Sequence, residues 1–498
     1  MRPKICGGLA GVACGGAAVA VGHLAAMAFA REASPVLAVA AVVVDATPEP
    51  VKHFAIETFG IYDKVVLLAG IAVILAGLSI LVGILALTHP VAGPAALLAM
   101  GVVGAAAALS RPASEPWWAL PSVAGTAAAM FVFIYLYRPA APVSEGGPGT
   151  TVDRRKLLIA GAGVGAAGVA GGLLSTAFTP DGGRPQVRLP DPASTAADHK
   201  TFTDPGIAPF HTPNADFYRV DTALTVPRLD IADYRLRIGG RVDNPLEFEY
   251  RDLLDMRLIE RDLTLTCVSN QVGGTLVGNA RWLGVPLEDL LALARPHEGA
   301  DQVVGHSADG WTCGTPTSVC IDGRDAILAV AMNGEPLPYE HGFPVRMIVP
   351  GLYGYCSATK WLVELELSTF EDFDAYWVRR GWAPTAPVKV SSRIDTPKPL
   401  AELSAGTRTV AGVAWAQQRG IRGVRVRVDD GPWTATELAP VMGTDTWRQW
   451  RWQWDATPGR HRLEVLAVTH DDETQTAERK DTFPDGSTGR HSLVVTVR

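Results

Sequence analysis

The sequence is poor in the features that mark most metal-binding and nucleic-acid-binding chains. It has six cysteines in 498 residues. None falls in a Cys-x-x-Cys or Cys-x-x-Cys-His arrangement, so c-type haem, iron–sulfur clusters and structural zinc have no motif here. Charged residues amount to only 19%, and the formal net charge is −7. Without a basic surplus there is no electrostatic footprint for nucleic acid, and that class of partner is set aside.

What is present divides the chain in two. Residues 1–180 carry ten Lys and Arg against eight Asp and Glu, whereas the remainder carries 34 against 43. The mean hydropathy of +0.15 therefore averages an apolar half and an ordinary soluble half. A bilayer span takes roughly 20 apolar residues. Five stretches qualify, at residues 5–29, 61–87, 91–109, 117–137 and 157–178. The run 35–44 is too short to cross and reads as a re-entrant or interfacial piece. His53 and Glu57, four apart, either lie on the wet face of an interfacial helix or hold a metal or proton.

Basic residues flank the first span at Arg2 and Lys4, and separate the fourth from the fifth at Arg138, Arg154, Arg155 and Lys156. If both groups are cytoplasmic, five spans place everything after residue 178 outside. Arg31 and Arg111 then fall on the outer side, close to Glu32 and Glu115. The expectation is a multi-pass protein of the cell membrane with an extracytoplasmic soluble part. His23 has no partner in its own span, and His53 and His89 lie at span edges, so the spans read as an anchor and docking site without haem.

Two motifs near the fifth span each have two readings. Arg154-Arg155-Lys156 before a Gly/Ala-rich apolar run is either a twin-arginine export signal or a plain positive-inside flank. Gly163-Val-Gly165-Ala-Ala-Gly168 matches the dinucleotide fingerprint letter for letter. It lacks a preceding strand and an acid about 20 positions on, and its small residues suit helix packing in lipid.

Residues 181–213 are rich in Pro, Asp, Gly and Thr and read as a linker and arm. From 214 to 383, period-two patterns at 234–238, 262–267 and 361–367 mix with a helical pattern at 287–294 and an apolar strand at 345–349. That mixture is α+β. From 384 to 498 only strand patterns recur, at 409–415, 424–428, 447–454, 462–468 and 492–497, as in an immunoglobulin-type β-sandwich. Trp450, Trp452 and Trp454 share one face, which is either sandwich core or an exposed surface that docks another subunit.

Cys6 and Cys14 lie in the first span and read as packing residues; of Cys267, Cys313, Cys320 and Cys356, a pair could form a disulfide outside the cytoplasm. Cys267 stands apart, at the end of an alternating strand and before the polar loop Asn270-Gln271-Val272-Gly273-Gly274. A thiolate there suits a soft redox metal, and the alternative is a buried structural cysteine. A second cluster runs from His341-Gly-Phe-Pro-Val-Arg346 through Val-Pro350-Gly351 to Ser357-Ala-Thr-Lys360-Trp361. Two cations beside a Gly-rich turn suit a phosphate group, unless they are salt-bridged at a strand end.

Together the two stretches resemble the sulfite oxidase family of molybdenum enzymes, including its periplasmic branch that reduces methionine sulfoxide. The resemblance covers about residues 205–370. It implies a multi-domain protein: an N-terminal α-helical transmembrane region, an α+β molybdopterin domain and a C-terminal immunoglobulin-like domain of the dimerisation type. It also implies that Cys267 binds molybdenum, that His341, Arg346, Ser357 and Lys360 hold the pterin and its phosphate, and that Ser307 contributes. The arm Asn214-Ala-Asp-Phe217-Tyr218-Arg219 resembles the family stretch that contacts the pterin, and Asn270 belongs to the ligand loop.

Two departures bear on the reaction. Sulfite-oxidising members carry two arginines in the ligand loop, where this chain has Asn270-Gln271-Val272-Gly273. The haem-binding domain of animal members has no counterpart. The implied reaction is oxygen-atom transfer to or from a small sulfur or N-oxide compound. Its electrons would be exchanged at the membrane with a quinone or cytochrome, and a homodimer is the candidate assembly. Tyr376, Trp377, Arg379 and Arg380 either line the approach to the metal or form an inter-domain contact. The alternative function is a non-enzymatic, membrane-tethered binding module built on the sandwich.

Overall fold

The computed structural model describes residues 3–29, 31–48, 51, 54, 58–59, 63–111, 114–139, 150–152, 155–161, 163, 185, 187–197 and 200–498. It separates into two compact units, Met1–Gly183 with Ala223–Thr225, and Arg184–Thr222 with Val226–Arg498.

In the first unit the uncharged runs fold as helices because no Pro interrupts them beyond the first turns and no charge needs solvating within them. They are Pro3–Phe29, Pro35–Ala46, Asp63–Thr88, Ala92–Leu109 and Leu120–Leu136, the last entered through a 3-10 turn at Pro116–Ala119. Among the described residues four helices are long and apolar enough to cross a bilayer by length and composition. Their outward faces are apolar too: Val73, Phe131 and Ile134 are more than two-thirds exposed, which water would penalise and lipid would not. The fourth helix stops at Leu136, and Tyr137–Pro139 (β1) pairs antiparallel with Thr150–Val152 (β2). The Tyr137 hydroxyl lies 3.1 and 2.9 Å from the carbonyls of Gly7 and Gly83, tying three helices at one point. The fifth expected span, 157–178, is described only at 157–161 and 163. Arg154, the glycine motif beyond Gly163, His53 and Glu57 lie outside the described residues.

The second unit begins with an antiparallel sheet and a mixed one. One runs β10-β9-β6-β5 with β11 on β9: Ile259–Thr266 (β5), Val277–Pro286 (β6), Ile327–Met332 (β9), Glu335–Pro336 (β10) and Arg346–Ile348 (β11). The other runs β4-β3-β12-β7-β8: Arg235–Gly240 (β3), Leu246–Glu249 (β4), Gln302–Ser307 (β7), Thr312–Pro316 (β8) and Leu362–Ser368 (β12). The helix Leu287–Ala294 packs Leu287, Leu290 and Leu291 into the core shared by both sheets. The predicted helix matches to the residue.

The C-terminal part has two further sheets. One is β13-β15-β19-β18, from Ser391–Thr396 (β13), Gly406–Trp415 (β15), Glu437–Leu438 (β18) and Arg448–Ala456 (β19). The other is β14-β21-β20-β16-β17, from Glu402–Leu403 (β14), Ile421–Val428 (β16), Thr434–Ala435 (β17), Gly459–Thr469 (β20) and His491–Val497 (β21). They share one core, in which Trp450 and Trp454 are buried, so the tryptophan stripe is interior.

The second half of strand β5, residues 263–266, is buried on both faces. Leu263 and Leu265 enter an apolar cluster with Trp282 and Phe343. The threonine face, polar in sequence, turns towards the C-terminal sheets instead of water. Thr264 Oγ1 accepts from Trp447 N–H at 2.7 Å, and the Thr264 carbonyl accepts from Gln417 Nε2 at 3.0 Å. The Thr264 amide donates to Asp445 O at 2.9 Å. This seam carries the two halves of the unit as one body.

Candidate active site

Cys267 is the first residue after β5, where the antiparallel ladder with β6 ends at the pair Thr266↔Val277. Its amide still donates to Leu276 O at 3.0 Å, so the residue is fixed while its loop departs. The thiol is buried, and burial raises its pKa; the amide and hydroxyl of Ser269 and the charge of Lys360 act the other way. All six cysteines are free and buried. Burial holds the Cys313 thiol up at about 11.

Of the predicted residues, Tyr218, His341, Arg346 and Lys360 gather with Cys267. Arg346 opens β11, an interior strand, and is only 6% exposed. Its Nη1 donates to the His341 carbonyl at 3.1 Å, its guanidinium lies over the Trp282 ring at 5.1 Å, and its buried Nε has no partner. Among the described residues no carboxylate faces it. Burial drives its pKa down to about 10, with Tyr218 the only opposing influence. A buried guanidinium in that state lacks a counter-charge.

His341 is also buried, and its Nε2 lies 2.8 Å from the Asn214 carbonyl. Burial lowers its pKa to about 4, so near neutrality the ring is neutral, donates through Nε2, and keeps Nδ1 as an acceptor. Gly342 follows with φ +110°, and a side chain there would meet Arg346 Cβ and Lys360 Cα at 3.1 Å. This glycine lets the His341 turn close on the Lys360 turn.

Lys360 pairs with Asp221 at 2.7 Å and also donates to the Glu340 carbonyl at 3.2 Å. Burial outweighs that carboxylate and lowers its pKa to about 8. Asp221 also binds Arg219 Nε at 2.8 Å, so one carboxylate serves two cations. Ser307 ends β7 opposite Leu362, and its buried hydroxyl has no partner. Tyr218 stacks on Phe217 with centroids 5.3 Å apart; burial raises its hydroxyl pKa, followed by the charge of Cys267.

Three predicted residues are engaged elsewhere. The Asn214 amide donates to Glu335 Oε1 at 2.6 Å and accepts from Asn333 Nδ2 at 2.8 Å, which fastens the arm to the β9–β10 hairpin. Asn270 Oδ1 accepts from the Leu276 amide at 2.9 Å and closes the ligand loop. The Ser357 hydroxyl is 3.1 and 3.0 Å from the carbonyls of Leu352 and Tyr353, inside its own turn. Beyond the core, Trp377 and Trp382 stack edge-on at 6.2 Å, and Trp382 meets Phe483 at 5.3 Å, an inter-domain contact. Sequence reasoning missed Asp221 and Trp282. An acid two residues after the arm's Arg219 was the available signal for the first.

Residues 223–377 match the family described as the oxidoreductase molybdopterin binding domain. An uncharacterised oxidoreductase of Bacillus subtilis, YuiH, is 34% identical over 153 residues, covering 31% of this chain and 74% of that protein. The chain belongs to the sulfite oxidase family of molybdopterin oxidoreductases. Human mitochondrial sulfite oxidase is 29% identical over 324 residues, 52% of this chain and 56% of that one. The chain thus spans about half the length of the animal relatives it matches. The sulfane dehydrogenase SoxCD of Paracoccus pantotrophus shares the fold, with a TM-score of 0.52 at 23% identity over 58% of this chain and 84% of that one. Membership of an enzyme family removes the basis for a purely adhesive module.

Proposed function

We propose that this protein is a membrane-anchored molybdopterin enzyme that transfers an oxygen atom to or from a small sulfur or N-oxide compound. The observation that carries this reading is Arg346, a buried cation without a carboxylate in the same cluster as Cys267. Such an environment fits an anionic, phosphate-bearing group and little else, because an unpaired buried guanidinium is otherwise costly. The unpartnered Ser307 hydroxyl and the neutral His341 ring fit the polar edge of a pterin.

In this reading Cys267 is the metal ligand, Arg346 and Lys360 hold the phosphate, and His341, Tyr218 and Ser307 contact the pterin. Arg219 acts through Asp221, while Asn214, Asn270 and Ser357 hold the arm, the ligand loop and the cofactor turn in place. When bound, the cofactor supplies the two-electron oxygen-transfer chemistry, and the protein supplies position and electrostatics. The Cys267 thiol must lose its proton to bind metal. The Ser269 donors and the Lys360 charge favour the thiolate against burial.

The four long helices would anchor the enzyme in the cell membrane, with the soluble part outside and electrons exchanged with a quinone or cytochrome. Residues 384–498 would form an immunoglobulin-type sandwich suited to a homodimer. The uncharged loop 270–273 favours an S- or N-oxide over a dianion such as sulfite. Metal analysis of the purified chain tests the core of the proposal: about one molybdenum per chain is expected. Its absence, or its retention in Cys267→Ser, would sink the reading. Turnover of methionine sulfoxide with a reduced dye, compared with sulfite and an oxidised dye, then decides the direction.

A further inference from the structure

The loop that leaves Cys267 is closed by its own hydrogen bonds and is also held from the C-terminal β domain. Ser487 Oγ donates to the Asn270 carbonyl at 2.7 Å, and Asn270 N–H in turn donates to the Cys267 carbonyl at 3.0 Å. One residue past the loop's tip, the Gly274 carbonyl accepts from Arg393 Nη1 at 2.9 Å. Arg393 is fixed by Asp395, whose carboxylate is 2.6 Å from its Nε. The neighbouring Ile394 N–H donates to His491 Nδ1 at 3.0 Å. The same histidine ring lies against Gly273, which has φ +81° and where a Cβ would come within 2.3 Å of the ring.

Arg393, Asp395, Ser487 and His491 are each less than a tenth exposed. Three buried polar side chains from β13, β21 and the turn before β21, with Asp395 bracing Arg393, thus reach Asn270, Gly273 and Gly274. Polar groups are buried at a cost unless each is paired, and here each is. His491, driven by burial to a pKa of about 4, is neutral and accepts at Nδ1, consistent with its role.

We infer that the C-terminal β domain is a positioning element for the active site, with Ser487 and Arg393 setting where the Cys267 thiolate stands. The inference rests on Cys267 as the metal ligand, and it adds that ligand geometry is controlled from about 220 residues away in sequence, Ser487 against Cys267. Removing the Ser487 bond frees the Asn270 peptide, and with it the next link to Cys267. A net hydrogen bond of ordinary strength corresponds to about a fivefold change in the open population of the loop.

The test compares Ser487→Ala, Ser487→Thr and Arg393→Lys in the full chain. In protein made without cofactor, alkylation of Cys267 should quicken about fivefold in Ser487→Ala, with Cys313 and Cys356 unchanged as internal controls. Ser487→Thr, which keeps the hydroxyl, should restore the slow rate. Arg393→Lys keeps the charge on Asp395 but loses the fork that reaches Gly274 O, and should quicken Cys267 as well. In loaded protein the Mo(V) EPR signal should shift in Ser487→Ala and return in Ser487→Thr. Unchanged Cys267 labelling, labelling that rises equally at all cysteines, or an unshifted EPR signal would each overturn the inference. If the loaded protein contains no molybdenum, the functional reading fails separately, and the labelling ratio alone judges the positioning role.

Discussion

On one side of Cys267, Arg346 and Ser307 leave buried polar atoms without partners, and Lys360 is held below its ordinary pKa by burial. On the other side, along residues 270–274, the Asn270, Arg393, Ser487 and His491 side chains are all paired. Both regions are buried and polar. They differ in whether the protein alone completes their hydrogen bonding. The incomplete side fits a bound ligand and the complete side reads as scaffold, since most buried polar groups in a folded chain are paired. Sequence motifs alone do not make that distinction: Asn270 and Arg346 look equally suited to bind a cofactor.

The largest expected effect breaks the comparison at its pivot. Cys267→Ser should reduce bound molybdenum to background by metal analysis while leaving the fold intact by circular dichroism. Next, Arg346→Met should lower cofactor retention at least tenfold, yet raise the stability of cofactor-free protein by about 1–3 kcal/mol in urea unfolding, since it removes an unpaired buried charge. A loss of stability instead would mean that the contacts of Arg346 to the His341 carbonyl and the Trp282 ring outweigh its missing counter-charge, and that the incomplete side is misread.

Acid should act on both sides at once. His341 and His491 have folded pKa values of about 4, below the usual 6.5. Between those values the unfolded chain takes up protons that the folded one refuses, so stability falls as pH drops from 6.5 to 4 and levels off below. The loss should amount to a few kcal/mol, read as a falling Tm of the cofactor-free chain, and His491→Asn should roughly halve it. The smallest effect sharpens the contrast: Ser307→Ala should be within about 0.5 kcal/mol of wild-type stability without cofactor, because no bond is lost. Asn270→Ala should cost about 1–2 kcal/mol, because the Leu276 amide loses its acceptor.

The cysteine and the His341–Lys360 run were legible in sequence because each is a contiguous stretch whose residue types carry chemistry by themselves. The helix 287–294 and five of the C-terminal strands were legible from periodicity. The double burial of β5 was not, since Thr264 and Thr266 are polar and read as a wet face until Gln417, Asp445 and Trp447 cover them. Asp221, Trp282 and the residues that hold the ligand loop were missed for one physical reason. Each acts through a partner far along the chain, and nothing local distinguishes it.

The seam on Thr264 has a consequence in time as well as in space. Synthesis runs from the N-terminus, and strand β5 meets its partners only when residues 417–447 have been made. Asn270 waits for Ser487, eleven residues before the last one of this sequence. A chain halted between Lys360 and Ser487 could own every residue of the proposed cofactor cluster and still lack this hold on the cysteine loop. The order of translation thus bears on when the loop is fixed: its contacts to Ser487 and His491 form only after residues 487–491 have been made.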